Sequence, residues 1–203
     1  MLLKINPSNI DPRIIKTVVD VLKNDGVIIY PTDTVYALGC NIYSNKAIEK
    51  VCRIKNIKPQ KANFSFICSD LSHISDFTKP FDRSVYKLMN RNLPGPFTFI
   101  LNANSAVPAI FKNHKKTIGI RIPDHTIPLN LIKELGNPIM STSLHDEDEI
   151  VEYLTDPSEI FEKFETMVDL IIDGGYGGNQ PSTVVDCTSG EPFILRQGVG
   201  ILD

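Results

Sequence analysis

The chain has 203 residues, of which 42% are hydrophobic and 22% charged, and carries a net charge of -3. These values fit one globular domain, residues 1–203, that buries a full core without disulfides or metal, and they exclude a disordered or fibrous chain. The longest apolar runs, such as Val27–Tyr30 and Phe97 to Leu101, are far below the roughly 20 residues of a membrane span, so no membrane partner is expected.

Asp11-Pro12 predicts a helix start, with an N-cap acceptor followed by Pro in the first turn. The apolar stripe Ile14, Ile15, Val18, Val21, Leu22 has helical spacing, and Gly26 is a natural stop. Val27-Ile28-Ile29-Tyr30 reads as a buried strand that Pro31 ends, because proline cannot donate to a sheet ladder. A second helix is expected from a Ser44 N-cap, with Ala47, Ile48, Val51 and Cys52 inward and its lysines outward. Residues 64–68 predict a strand and 82–92 a helix, and Pro94-Gly95-Pro96 is a rigid turn before a strand at 97–101. Further strands are expected at 117–122, Ile139–Ser143, 168–173, Thr183–Asp186 and Phe193–Arg196, with helices at Thr126–Leu135 and Pro157–Phe164. This alternation predicts an α/β protein with a mostly buried sheet flanked by helices.

Lysines and arginines cluster unevenly. Lys46, Lys50, Arg53, Lys55, Lys58 and Lys61 form one basic run, and Lys112, Lys115 and Lys116, with His114 and then Arg121, a second. From Asp146 to Asp169 acids dominate. Each run fits a solvated face, and the basic ones fit equally a phosphate-bearing ligand. The four cysteines, Cys40, Cys52, Cys68 and Cys187, form no CxxC pair, which predicts reduced, buried thiols in a cytoplasmic protein and no metal site.

Four segments carry candidate polar groups, and the first lies where α/β sheets bind ligands, beyond the carboxyl end of a strand. Thr32-Asp33-Thr34 follows the first buried strand; it fits a site, and also a turn that bonds its own backbone. Lys55 and Lys58 fit either a polyphosphate clamp or a basic helix end. Ser141-Thr142-Ser143, with His145 beyond, fits a grip on phosphate or ribose, or a helix cap. The stretch from Asp173 to Asp186 carries four glycines that allow close backbone approach, and Arg196 ends another strand. The spacing of those glycines matches neither GxGxxG nor a P-loop, and no HExxH or GxSxG is present.

Taken in order, Tyr30-Pro31-Thr32-Asp33-Thr34, Pro94-Gly95-Pro96-Phe97-Thr98-Phe99, Ile118-Gly119-Ile120-Arg121-Ile122-Pro123, Ser141-Thr142-Ser143, Pro181 to Asp186 and Arg196-Gln197-Gly198-Val199-Gly200 resemble the YrdC/YciO family over nearly the whole chain. The resemblance implies a twisted mixed sheet with a basic concave face. It also implies threonylcarbamoyl-adenylate synthesis from threonine, bicarbonate and ATP, with release of pyrophosphate, for tRNA modification. Thr32, Thr34, Arg121 and Ser182 would then hold threonine or a related small amino acid, with Arg121 on its carboxylate. Lys55, Lys58, Ser141, Ser143, His145 and Arg196 would face ATP, whose oxygens would hold Mg²⁺. No single nucleophile or catalytic base is implied.

The chain departs from the synthase pattern at three points. Its Lys-x-Arg reads Lys55-Asn56-Ile57-Lys58, its Ser-x-Asn reads Ser143-Leu144-His145, and a strand-ending histidine is Cys68. These departures resemble the YciO-like branch. They leave a second reading beside the enzyme: a binding protein that holds tRNA or double-stranded RNA on a basic face without turnover.

Overall fold

The computed structural model describes residues 1–59, 62, 64–111, 116–145 and 153–203. Lys61, Lys112, His114 and Lys115 of the basic runs, and Asp146, Glu147, Asp148, Glu149 and Glu152 of the acidic one, lie outside the described residues.

The chain opens with the short strand β1 (Leu2–Lys4) and helix α1 (Pro12–Lys23). The Asp11 carboxylate accepts from Arg13 N at 2.9 Å, so the helix begins where the cap chemistry dictates. Its buried stripe is Ile15, Val18, Val19 and Leu22. Each such side chain contributes at most about 1.5–3 kcal/mol by leaving water.

Next come β2 (Val27–Tyr30), β3 (Ala37–Asn41) and α2 (Asn45–Ile54). Ser44 caps α2, accepting from Ala47 N at 3.1 Å while its hydroxyl donates to Asp25 at 2.5 Å. Then follow β4 (Ser65–Ile67), α3 (Leu71–Ser75), α4 (Arg83–Asn92), β5 (Phe97–Asn102) and β6 (Thr117–Arg121). The chain completes with α5 (Thr126–Leu135), β7 (Ile139–Ser143), α6 (Pro157–Phe164), β8 (Leu170–Asp173), β9 (Thr183–Asp186) and β10 (Phe193–Arg196). Gly136 ends α5 with φ +81°, a left-handed cap that a side chain would strain. No helix among the described residues is long and apolar enough to cross a membrane.

The ten strands of the described residues form one mixed sheet in the order β1-β8-β2-β3-β7-β4-β6-β5-β9-β10. The sheet therefore has helices on both sides, as the alternation of elements requires, but the two sides differ. One face is apolar across its width: Val27, Ile29, Leu38, Met140, Phe66, Ile120, Phe99 and Val185 pack under α2, α4 and α6. On the other face, α1 and α5 cover Ile28, Tyr30, Ala37, Ile139, Leu170 and Ile172. From β7 to β9 that second face bears Ser141, Ser65, Gly119, Thr98 and Val184 instead, and they line an open cavity. The fold is thus a sheet fully backed on one side and half covered on the other.

Two strands, β1 and β3, and the short helix α3 are absent from the sequence reading. β3 carries no β-branched run, yet it pairs with β2 along its length. Gly39 explains why, because a Cβ there would meet Tyr30 Cε1 at 2.8 Å and Met140 O at 2.9 Å. This strand exists by close packing and not by propensity. β1 is too short to carry a period; it follows β8 in parallel, Leu3 opposite Ile172.

Candidate functional site

The cavity on the half-covered face has a volume of about 700 Å³. Strands β3, β7, β4, β6, β5 and β9 supply its floor, with Leu195 and Arg196 of β10 at the far edge. Gly119 lies at the centre of that floor, where a Cβ would meet Ser65 Oγ at 2.6 Å, so the floor stays flat there.

Arg121 comes from the last position of β6 and is 8% exposed. Its Nη2 donates to Thr34 Oγ1 at 2.7 Å, to Thr32 Oγ1 at 3.3 Å, and to the Asp33 carboxylate in a short ion pair. The turn 32–34 also bonds itself: Thr34 N donates to Thr32 Oγ1 at 3.1 Å, and the Thr32 hydroxyl donates to Val35 O at 2.7 Å. Both readings of this segment therefore hold at once, a self-bonded turn that is also clamped by a cavity residue. The clamp is incomplete. Arg121 Nε and Asp33 Oδ2 are buried without a hydrogen-bond partner among the described residues, a condition that costs about 1–3 kcal/mol per group when no ligand or water relieves it.

The glycine-rich stretch packs directly behind this turn. Gly178 N donates to Thr34 O at 2.7 Å, and a Cβ at Gly178 would sit 2.3 Å from that oxygen. The Tyr36 hydroxyl donates to Gly175 O at 2.7 Å and accepts from Gly174 N at 3.2 Å. At Gly178 the missing side chain thus serves backbone-to-backbone approach.

Across the cavity, the hydroxyls of Ser182 and Thr98 are 2.8 Å apart. Arg196 Nη2 donates to Ser182 O at 2.8 Å and so is tied back over the same residue. On β7, Ser141 Oγ accepts from the Tyr30 hydroxyl at 2.7 Å, and Ser143 O accepts from Lys55 Nζ at 3.3 Å. Burial pushes the Tyr30 phenol up to about 12, so it remains a donor at neutral pH.

The candidate residues are drawn from six separate stretches of chain, and most meet here. Arg121, Ser141, Ser143, Ser182 and Arg196 line the cavity, Thr32 and Thr34 are bonded to Arg121, and Lys55 touches Ser143. Lys58 is exposed and not in the lining, and His145 is exposed, its ring 5.5 Å from that of Tyr153. Among the lining residues the charged groups are Arg121, Arg196 and Asp186, so the cavity can neutralise anions and orient hydroxyls but presents no thiol or imidazole nucleophile. The partnership of Thr98 with Ser182 and of Tyr30 with Ser141 was not foreseeable from spacing, because cross-strand register decides both.

The family model Sua5_yciO_yrdC, described as "Telomere recombination", matches residues 20–198. The chain is 43% identical over 198 residues to YciO of Escherichia coli, covering 97% of this chain and 94% of that one. It is 30% identical over 183 residues to the threonylcarbamoyl-AMP synthase of Coxiella burnetii, covering 90% and 96%. The crystal structure of E. coli YciO superposes with a TM-score of 0.91 at 40% identity, over 99% of this chain and 97% of that one. P. abyssi Sua5 complexed with L-threonine superposes with a TM-score of 0.88 at 25% identity, over 98% of this chain but 57% of that one.

Proposed function

Because the chain belongs to the Sua5/YciO/YrdC family, we propose that its single domain is an ATP-dependent threonylcarbamoyl-AMP synthase-type enzyme, linked to tRNA modification in the cytoplasm. The observation that carries this reading is the half-used Arg121: a buried guanidinium whose Nε is unpartnered, beside the Thr34 hydroxyl and in the cavity that also holds Ser182. A zwitterionic amino acid with a hydroxyl side chain matches that set. Its carboxylate pairs with the guanidinium, and hydroxyl groups meet hydroxyl groups. The relative that binds L-threonine and the relative that is a threonylcarbamoyl-AMP synthase support the same choice.

The chemistry asks for placement more than for a nucleophile. The threonine amine attacks bicarbonate to give a carbamate and water. A carbamate oxygen then attacks the α-phosphorus of ATP, and the bond to pyrophosphate breaks. Ser141, Ser143 and Arg196 line the remaining polar border of the cavity, with Lys55 bonded to Ser143 O beside it, and these groups hold the phosphates as donors. Mg²⁺ would be carried on the triphosphate oxygens rather than in a protein cage.

Calorimetric titration with L-threonine and then Mg-ATP, followed by product analysis with bicarbonate, tests the proposal. Threonine binding, ATP binding and pyrophosphate release are expected. A protein that binds RNA and neither small molecule would return the function to the RNA-holding reading.

A further inference from the structure

Tyr30 stands outside the cavity. It belongs to β2, and all of β3 separates it from Ser141 on β7. Its side chain nevertheless reaches Ser141 by crossing β3 at Gly39, where a Cβ would lie 2.8 Å from the ring. The register explains the route, because Gly39 lies opposite both Ile28 and Ser141. The residue is fully buried, and its hydroxyl ends 2.7 Å from Ser141 Oγ. A plain core position here would take Phe. The phenol instead delivers one polar atom, across a whole strand, to a cavity-lining hydroxyl.

A phenol is a stronger hydrogen-bond donor than an aliphatic alcohol, so the proton of this bond comes from Tyr30 and Ser141 accepts it. Ser141 Oγ has no second partner among the described residues. Its own proton is therefore excluded from the Tyr30 direction and left for the cavity side. A donor chain that ends on an anion also polarises along its length, which strengthens the last bond.

We propose that Tyr30 is a positioning residue: it converts Ser141 into a directed hydrogen-bond donor toward an anionic oxygen of the ligand. The inference rests on the nucleotide-binding reading above, and the anionic oxygen is then one of the ATP phosphate oxygens. Tyr30 touches no ligand atom; its effect passes entirely through Ser141.

The test is a double-mutant cycle on Mg-ATP affinity with Tyr30→Phe, Ser141→Ala and the pair. Tyr30→Phe should weaken binding by about 3- to 10-fold, the loss of one oriented donor. Ser141→Ala should weaken it at least as much, and Tyr30→Phe should add nothing in the Ser141→Ala background. A purely structural phenol predicts the same loss in both backgrounds, and that additivity would overturn the inference. So would wild-type affinity in Tyr30→Phe. If Tyr30→Phe does not fold, 3-fluorotyrosine placed at position 30 decides: a more acidic phenol should tighten ATP, and unchanged affinity refutes the donor chain. A wild-type protein that binds no Mg-ATP removes the nucleotide reading itself, whereas ATP binding insensitive to Tyr30 removes only this step.

Discussion

Replacing Arg121 by Met tests whether the buried ion pair organises the site. The native guanidinium and the Asp33 carboxylate are each 9% exposed as side chains, so water screens neither. Met fills much of the Arg volume but abolishes the charge and the bonds to Thr32, Asp33 and Thr34. The Asp33 carboxylate is then buried beside two hydroxyls with no cation. Removing one partner of a buried pair costs about 3–5 kcal/mol, chiefly the penalty of the stranded charge. Folded domains have about 5–15 kcal/mol in total, so the variant should fold but be fragile. At a urea slope of about 2 kcal/mol per molar, the unfolding midpoint should drop by about 1.5–2.5 M. Urea titration by circular dichroism reads this directly. Adding Asp33→Asn to the Met variant removes the stranded charge and should recover at least about 1 kcal/mol. A single-variant cost below about 1 kcal/mol, or no recovery in the double variant, would refute the idea that this pair is a buried, mutually dependent unit.

Gly178→Ala should destabilise by about 1–3 kcal/mol, since the added methyl would sit 2.3 Å from Thr34 O; chemical denaturation checks it. Ser182→Ala strands the buried Thr98 hydroxyl and should cost about 1–3 kcal/mol of stability, with L-threonine affinity falling as well by calorimetry. Burial holds the His125 imidazole below its ordinary value, against the pull of Asp33 and Asp124, and its Nδ1 caps α5 by accepting from Ile127 N at 3.2 Å. Since the unfolded chain then binds the proton more readily, stability should fall as pH drops below about 6.5. His125→Asn, which keeps a cap acceptor, should flatten that slope in pH-resolved urea titrations. If the exposed Lys46, Arg53 and Lys58 contact RNA, log affinity should fall by about 0.7–0.9 per log unit of salt for each phosphate neutralised, and a salt-independent association would refute a phosphate contact.

Local signals made much of this architecture readable. Helices α1 and α2 lie where capping and periodicity put them, because Asp11 and Ser44 cap them and each carries an apolar stripe. β2 was equally plain from four consecutive buried residues. β3 was hidden, because its reason for being extended is the ring of Tyr30 lying over Gly39, a contact between strands. In the site, the residue types at strand ends were visible, since Thr32, Thr34, Arg121 and Ser141 follow or end apolar runs and Ser182 immediately precedes a strand. What spacing could not supply was who holds whom. Arg121 reaches back 87 residues to Thr34, and Ser182 reaches 84 to Thr98, distances that only the sheet register closes.

That register has a consequence for how the protein becomes competent. β3 joins β7 and β5 joins β9, so the strands that frame the cavity come from distant parts of the chain. Ladders of this kind close long loops before they are rewarded, which makes their assembly slow. On a ribosome, residues 1–170 would emerge with Arg121 and Ser141 already made but without Ser182, Arg196 or the glycines that brace Thr34. Until β9 and β10 are in place the cavity lacks the wall that carries Ser182 and Arg196, so a chain truncated at residue 170 should not retain a ligand that the longer chain holds.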